Sequence, residues 1–236
     1  MHSLKITVLV PAAGSGTRMA KAAGGTKKQF LLLDGRPILA HTLSRFEEVP
    51  EVCEIIPIVP PEDMEGCLEN CVELQGLKKV KRIAPGGAQR QDSVYNGLKA
   101  VDPDTAYVLV HDGVRPFITR ELIQVLIGSL EGVDGAILAV PAKDTLKEVT
   151  KDHMVKRTLD RASCYQVQTP QAFKYKSLLS AFEKAYADGY YGTDESSLVE
   201  RNGGRVRVVE GSYANIKITT PEDMAMAEAL LRAGRS

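Results

Sequence analysis

Short β-branched runs alternate with helical patterns up to about residue 140, and this alternation constrains the fold more than any other feature of the chain. Runs at 4–10 (LKITVLV), 54–59 (EIIPIV), 80–83, 107–110 (YVLV) and 135–140 (GAILAV) are separated by helical patterns at 37–46, 63–73, 93–101 and 120–131. Strands joined by helices of that length lie parallel in one sheet, with helices covering both faces. The expected class is α/β with a mostly parallel central sheet. Ligands of such sheets bind outside the carboxyl ends of the strands.

The alternation breaks after Pro141. Extended runs at 146–149 and 155–159 flank a polar turn at 150–154, which predicts a β-hairpin too short to hold a core of its own. Residues 142–165 are therefore expected to form a protruding β-arm that packs on a second chain. The chain returns through an extended run at 165–168, helices at 175–188 and 194–201, and strands at 206–209 and 216–218. The last helix begins cleanly, with Thr220 as cap, Pro221 in the first turn, and Glu222 and Asp223 at the positive end of the dipole. No repeat or linker divides residues 1–236, which read as a single domain with an arm.

Composition narrows the function classes. Thirty Lys and Arg balance thirty Asp and Glu over 236 residues, so bulk charge does not drive binding to nucleic acid or to an anionic membrane. No apolar run reaches the roughly 18 residues of a membrane span. The amino terminus enters a strand-like run without the three-part pattern of a leader. Cys67 and Cys71 stand four apart on a predicted helix, but no second close pair completes a metal site, and all four cysteines read as reduced thiols of a cytoplasmic protein.

The sharpest chemical signal is PAAGSGTRM, residues 11–19, directly after the first strand. Ala12, Ala13, Gly14, Ser15 and Gly16 lack bulk, so their amides can approach a phosphate or a base closely. The dinucleotide fingerprint fails because Met19 stands where its third glycine belongs, and no Gly-Lys-Ser/Thr closes a Walker loop. Arg18 follows, with Lys27 and Lys28 beyond the glycine-bearing stretch 20–26. Three cations around such a loop suit several phosphates, although spacing does not separate Lys27 from Lys28.

The fourth strand runs into VHDGVRPF, residues 110–117. An acidic residue at a carboxyl-terminal strand edge, facing a phosphate loop, is placed to hold Mg²⁺, which makes Asp112 the candidate metal ligand. His111 reads as a packing residue rather than a base. Thr145, Arg161, Thr169 and Lys217 read singly as structural. However, Thr145 and Arg161 flank the hairpin, so a role for them would make the arm part of a substrate site. Lys217 alternates with Ile216 and Ile218 and therefore points away from the core.

PAAGSGTRM, KKQF, GGAQRQDSV, VHDGVRPF, KDT, TPQAF, GTDESSLVE and EGSYANIKITTPEDM follow one another in order across nearly the whole chain. Together they closely resemble the 2-C-methyl-D-erythritol 4-phosphate cytidylyltransferase family of the non-mevalonate isoprenoid pathway. The resemblance implies a Rossmann-like nucleotidyltransferase fold. It further implies a homodimer built through the arm, and attack of the acceptor phosphate on CTP with Mg²⁺ present. By motif position it implies that Arg18 and Lys28 stabilise the transition state and that Arg161 and Lys217 position the sugar phosphate. Asp112, Arg115, Thr145 and Thr169 would serve the acceptor. Ala12, Ala13, Gly14, Gly16, Gly87 and Ser93 would contact CTP, and Thr145 and Arg161 would serve the partner's site.

Two positions depart from the family pattern. Thr17 stands where a basic residue is common, and Ala88 stands where an acidic one is common after the paired glycines. Two alternatives accompany this reading. One is a cytidylyltransferase acting on ribitol 5-phosphate. The other is a nucleotide-binding regulator without catalysis, against which the joint presence of Arg18, Lys28, Asp112 and Lys217 argues.

Overall fold

The computed structural model describes residues 4–14 and 26–234. β1 (Ile6–Pro11) is the hub of the sheet, and all but its last residue are buried. Because successive side chains of a strand point to opposite faces, Ile6, Val8 and Val10 enter one hydrophobic layer and Leu9 the other.

After β1, two short strands, β2 (Leu32–Leu33) and β3 (Arg36–Pro37), form a separate hairpin. Its turn residues Asp34 and Gly35 have φ of 52° and 75°, the left-handed conformation that tight hairpins require. α1 (Ile38–Glu47) leads to β4 (Val52–Val59). The helix expected at 63–73 is α2 (Met64–Cys67) continued by a π-helical stretch, Leu68–Glu73. β5 (Ala84–Pro85), α3 (Arg90–Ala100), β6 (Tyr107–Val110), α4 (Arg120–Gly128) and β7 (Gly135–Pro141) complete the alternation. The strand expected at 80–83 reduces to one bridge between Val80 and Ile55, and the paired edge forms only at β5.

β8 (Lys147–Val149) and β9 (Val155–Thr158) pair in a two-stranded sheet of their own, with β9 exposed along its length. β10 (Tyr165–Lys174) extends six residues past the run expected at 165–168. α5 (Tyr175–Ala187), α6 (Glu195–Arg201), β11 (Val206–Glu210) and α7 (Pro221–Ala233) follow. No strand forms at 216–218, where a single bond from the Ile218 amide to the Val114 carbonyl fixes an extended segment. Thr220 caps α7 and Asp223 closes the capping box, as its sequence predicts.

The main sheet has the order β11-β7-β10-β6-β1-β4-β5. Every neighbouring pair is parallel except the two made by β10, which runs against the rest. Phe46 of α1 and Ile123 and Leu126 of α4 cover one face, whereas Leu98 of α3, Phe182 of α5 and Leu198 of α6 cover the other. The chain is thus α/β with a mostly parallel sheet, and the carboxyl ends of β1 and β6 lie side by side.

Candidate active site

A cleft of about 360 Å³ opens at those strand ends. One wall is Pro11, Ala12, Ala13 and Gly14, which leave β1; another is Gly87, Ala88 and Gln89, which enter α3. The two loops approach closely at Gly86 and Ala13. A Cβ on Gly86 would fall 2.4 Å from the Ala13 Cβ, and one on Gly87 would fall 2.4 Å from the Asp92 Cβ, so neither position accepts a larger residue. The Gly87 amide donates to the Ser93 hydroxyl at 2.9 Å, and the Gln89 amide donates to Asp92 Oδ2 at 2.9 Å. Tyr186 and Tyr191 hold the other Asp92 oxygen at 2.7 and 3.0 Å. The loop is therefore braced from behind while its front stays open. Gly16 and Arg18 lie outside the described residues.

Asp112, at the end of β6, is the electrostatic centre. Its side chain is 10% exposed and meets Lys217 Nζ at 2.8 Å, Arg90 Nη2 at 3.4 Å and Arg115 Nε at 3.5 Å. Burial alone would raise this carboxyl, but Arg90, Lys217 and Arg115 outweigh it and hold the group far below the ordinary carboxylate range. Asp112 is thus an anion at any physiological pH. Lys217 reaches it because Ile216 and Ile218 anchor in an apolar cluster with Val114 and Leu33, which turns the lysine between them outward, as the alternation predicted. Arg115 donates to the Asn215 carbonyl at 2.8 Å and ties this segment to the β6 loop.

His111 and Thr169 stand behind Asp112 rather than on the cleft wall. The Thr169 hydroxyl accepts from the Asp112 amide at 3.0 Å and lies 3.2 Å from His111 Nδ1, while His111 Nε2 lies 3.0 Å from the Arg115 carbonyl. A carbonyl only accepts, so the network assigns the proton to Nε2 and leaves Nδ1 to accept from Thr169. Burial lowers the His111 pKa to about 4, which keeps the ring neutral. Its edge packs on Phe46 with ring centroids 5.0 Å apart. The histidine is a packing residue, as expected.

Tertiary structure separates the two lysines that spacing left equivalent. Lys27 is engaged by Glu62 at 2.7 Å and Asp63 at 2.6 Å, whereas Lys28 borders the cleft. Gln29 borders it too, and is 1% exposed with neither carboxamide atom bonded. Buried amides are normally hydrogen-bonded, so this carboxamide has both a donor and an acceptor to offer at the cleft.

Thr145 and Arg161 are not brought to this cleft. Thr145 is exposed, and Arg161 donates to the Lys143 carbonyl at 2.8 Å beside a separate open hollow that includes Tyr213. The sequence reading gave no role to Arg90 or to Glu195. Arg90 lines the cleft, and Glu195 binds it through both carboxylate oxygens at 2.6 and 3.0 Å. Both belong to motif blocks, GGAQRQDSV and GTDESSLVE, but nothing local connects charges 105 residues apart.

The donors also bear on a metal. Among the described residues, no group of three or more His, Cys, Asp or Glu gathers to hold an ion, and Cys67 and Cys71 are buried and form no disulfide. Asp112 supplies one carboxylate that already faces three cations. This set fits a divalent ion whose remaining ligands are phosphate oxygens and water; it does not fit an ion caged by protein alone. No helix among the described residues is long and apolar enough to cross a membrane.

Comparison with known proteins agrees with this geometry. Residues 6–233 match the family described as IspD, 2-C-methyl-D-erythritol 4-phosphate cytidylyltransferase. A protein of that name from Geotalea uraniireducens is 48% identical, over 99% of both chains. Another from Syntrophus aciditrophicus is 46% identical, over 97% of this chain and 96% of the relative. Among solved structures, the 4-diphosphocytidyl-2C-methyl-D-erythritol synthase of Anaerococcus prevotii superimposes with a TM-score of 0.85 at 36% identity, covering 98% of this chain and 97% of the other.

Proposed function

The chain belongs to the 2-C-methyl-D-erythritol 4-phosphate cytidylyltransferase family, and from that membership we propose how the charges of the cleft serve the reaction. The enzyme transfers a cytidylyl group from CTP to 2-C-methyl-D-erythritol 4-phosphate, giving 4-diphosphocytidyl-2-C-methyl-D-erythritol and pyrophosphate. The acceptor phosphate is already anionic at neutral pH, so its oxygen attacks the α-phosphorus in line without a general base. The bond to the bridging oxygen breaks, and pyrophosphate leaves with the electron pair. The physical difficulty lies in bringing two anions together and stabilising the charge that builds on the α-phosphoryl oxygens and the leaving group.

In this reading, Ala12, Ala13, Gly14, Gly16, Gly87 and Ser93 seat the nucleotide, largely through backbone groups. Arg18 and Lys28 stabilise the charge that develops at the α-phosphate. Asp112 and Lys217 face the acceptor, Arg115 and Thr169 hold Asp112 from behind, and Lys217 exchanges Asp112 for the incoming phosphate. Thr145 and Arg161 of the arm, residues 142–165, serve the cleft of a second subunit, so the working enzyme is a homodimer, and it is cytoplasmic. Asp112 would hold Mg²⁺ together with phosphate oxygens, and the ion would supply charge neutralisation between the phosphates.

The observation that carries this reading is that Lys28, Asp112 and Lys217, distant in sequence, border the same cleft as the two small-residue loops. Pyrophosphate release, measured with each nucleoside triphosphate crossed against methylerythritol phosphate and ribitol 5-phosphate, tests it. Turnover is expected with CTP and methylerythritol phosphate. Preferential use of ribitol 5-phosphate would overturn the acceptor assignment, and CTP-independent behaviour would overturn the nucleotide site.

A further inference from the structure

Arg90 and Glu195 form an ion pair at the cleft whose carboxylate is almost fully buried, yet the chemistry above leaves both without a task. Glu195 is 1% exposed and sits in the first turn of α6, just after the cap Asp194. A carboxylate sealed from water is costly unless its charge is matched. Here the match is a two-point grip on the Arg90 guanidinium, at 2.6 and 3.0 Å. Arg90 reaches α6 from the first turn of α3, and its side chain remains 35% exposed on the cleft wall.

The two carboxylates compete for one guanidinium, and the distances show which prevails. Arg90 meets Glu195 at full hydrogen-bond strength but Asp112 only at 3.4 Å. Without Glu195, the planar fork of Arg90 would be free to close on Asp112, the geometry that arginine and carboxylate prefer. That collapse would take Asp112 from Lys217 and withdraw the guanidinium from the open cleft. Arg115 is no substitute, because it is only 12% exposed and is committed to Asn215. Among these three cations, Arg90 and Lys217 are therefore the ones an anionic group can reach.

We propose that Glu195 is a positioning residue of the transfer reaction, holding Arg90 off Asp112 so that its guanidinium meets the phosphate of the incoming acceptor. The inference rests on the reading of this cleft as the acceptor site. Glu195 itself touches no substrate; its grip decides where one phosphate-binding cation stands.

The decisive experiment compares Glu195→Gln, Glu195→Asp and the double variant Arg90→Met/Glu195→Met with the full-length enzyme, with Lys217→Ala as reference. Glu195→Gln keeps the volume and loses the charge. It is expected to lower kcat/KM for the acceptor about ten- to a hundredfold, the scale of a charge-assisted hydrogen bond, while KM for CTP stays within about twofold. Glu195→Asp should recover part of the loss. Replacing a buried ion pair by apolar residues of similar length is often neutral for stability, so the double variant should melt near the parent temperature yet keep the acceptor defect.

A folded double variant with parental kinetics would make the pair purely structural and overturn the proposal. The double variant also decides the matter should Glu195→Gln fail to fold. If Lys217→Ala is impaired while the double variant is normal, the inference fails and the cleft assignment stands. If Lys217→Ala is also normal, the assignment of the cleft itself falls.

Discussion

The cleft and the arm are built from the same residue types and put them to opposite physical use. In the cleft, Asp112 and Glu195 are nearly sealed from water; Asp112 faces three cations and Glu195 is gripped by one, and none of them can leave without stranding a charge. On the arm, Glu148 pairs with Lys156 and Arg157 at 2.5 Å, but both cations are more than half exposed. Exposed pairs of this kind are screened and contribute little to stability. The arm also presents Val149, Met154 and Val155 to solvent, and a two-stranded ribbon is marginal alone. The difference separates a region where burial makes charge pairing obligatory from one where the same pairs stand in water and contribute little.

The sharpest way to break the comparison is at Lys28. Removing one donor to developing charge commonly costs about 3–4 kcal/mol of barrier, so Lys28→Ala should lower kcat by about a hundred- to a thousandfold with modest change in KM. Lys27→Ala, which disturbs a pair with Glu62 and Asp63, should not. Equal losses in steady-state assays of both variants would erase the distinction that the fold draws between them.

A second experiment asks whether arm and cleft work in trans. Arg161→Ala and Lys217→Ala homodimers are each expected to be nearly inactive. After subunits are mixed and exchanged, half the dimers carry both lesions, and each of these has one intact site if the arm serves its partner, so about a quarter of parental activity should return. No recovery after verified exchange would confine Arg161 to its own chain.

The smallest effect concerns the support behind the cleft. Because burial lowers the folded-state pKa of His111 to about 4, the unfolded chain binds the additional proton between about pH 6.5 and 4. The stability contributed by the neutral ring is complete above about pH 6.5 and is lost as pH falls through that window, by up to about 3 kcal/mol. Urea unfolding across the range should show the slope, and NMR of the ring nitrogens should show neutrality to about pH 4. A ring titrating near 6.5 in the folded enzyme would refute the account of Asp112 as rigidly backed.

Much of the fold was legible because its signals are local. The β-branched run at 4–10 set β1, and the cap and proline of α7 set its start. The misplaced edges failed for a related reason. Residues 80–83 have a strand's composition, but parallel pairing also needs a neighbour in register, and β4 offers them one bridge at Val80 and a continuous ladder only at Ala84 and Pro85. Residues 216–218 alternate like a strand, yet among the described residues they meet no sheet edge, and Ile218 bonds instead to Val114 in the loop after β6. β10 was underestimated because its continuation through TPQAF depends on β6 and β7 on either side.

The candidate site divides along the same line. Sequence by itself determined the loop of small residues after β1, the acid at the end of β6, the outward face of Lys217 and the hairpin, since each follows from neighbours within a few positions. Only tertiary structure decided that Lys28 rather than Lys27 borders the cleft, that Thr169 and His111 stand behind Asp112, and that Arg90 is gripped by Glu195. Those outcomes depend on charges meeting across 22 to 105 residues of chain. Such meetings are fixed by where burial leaves a carboxylate no other partner, a quantity that exists only once the sheet has closed around it.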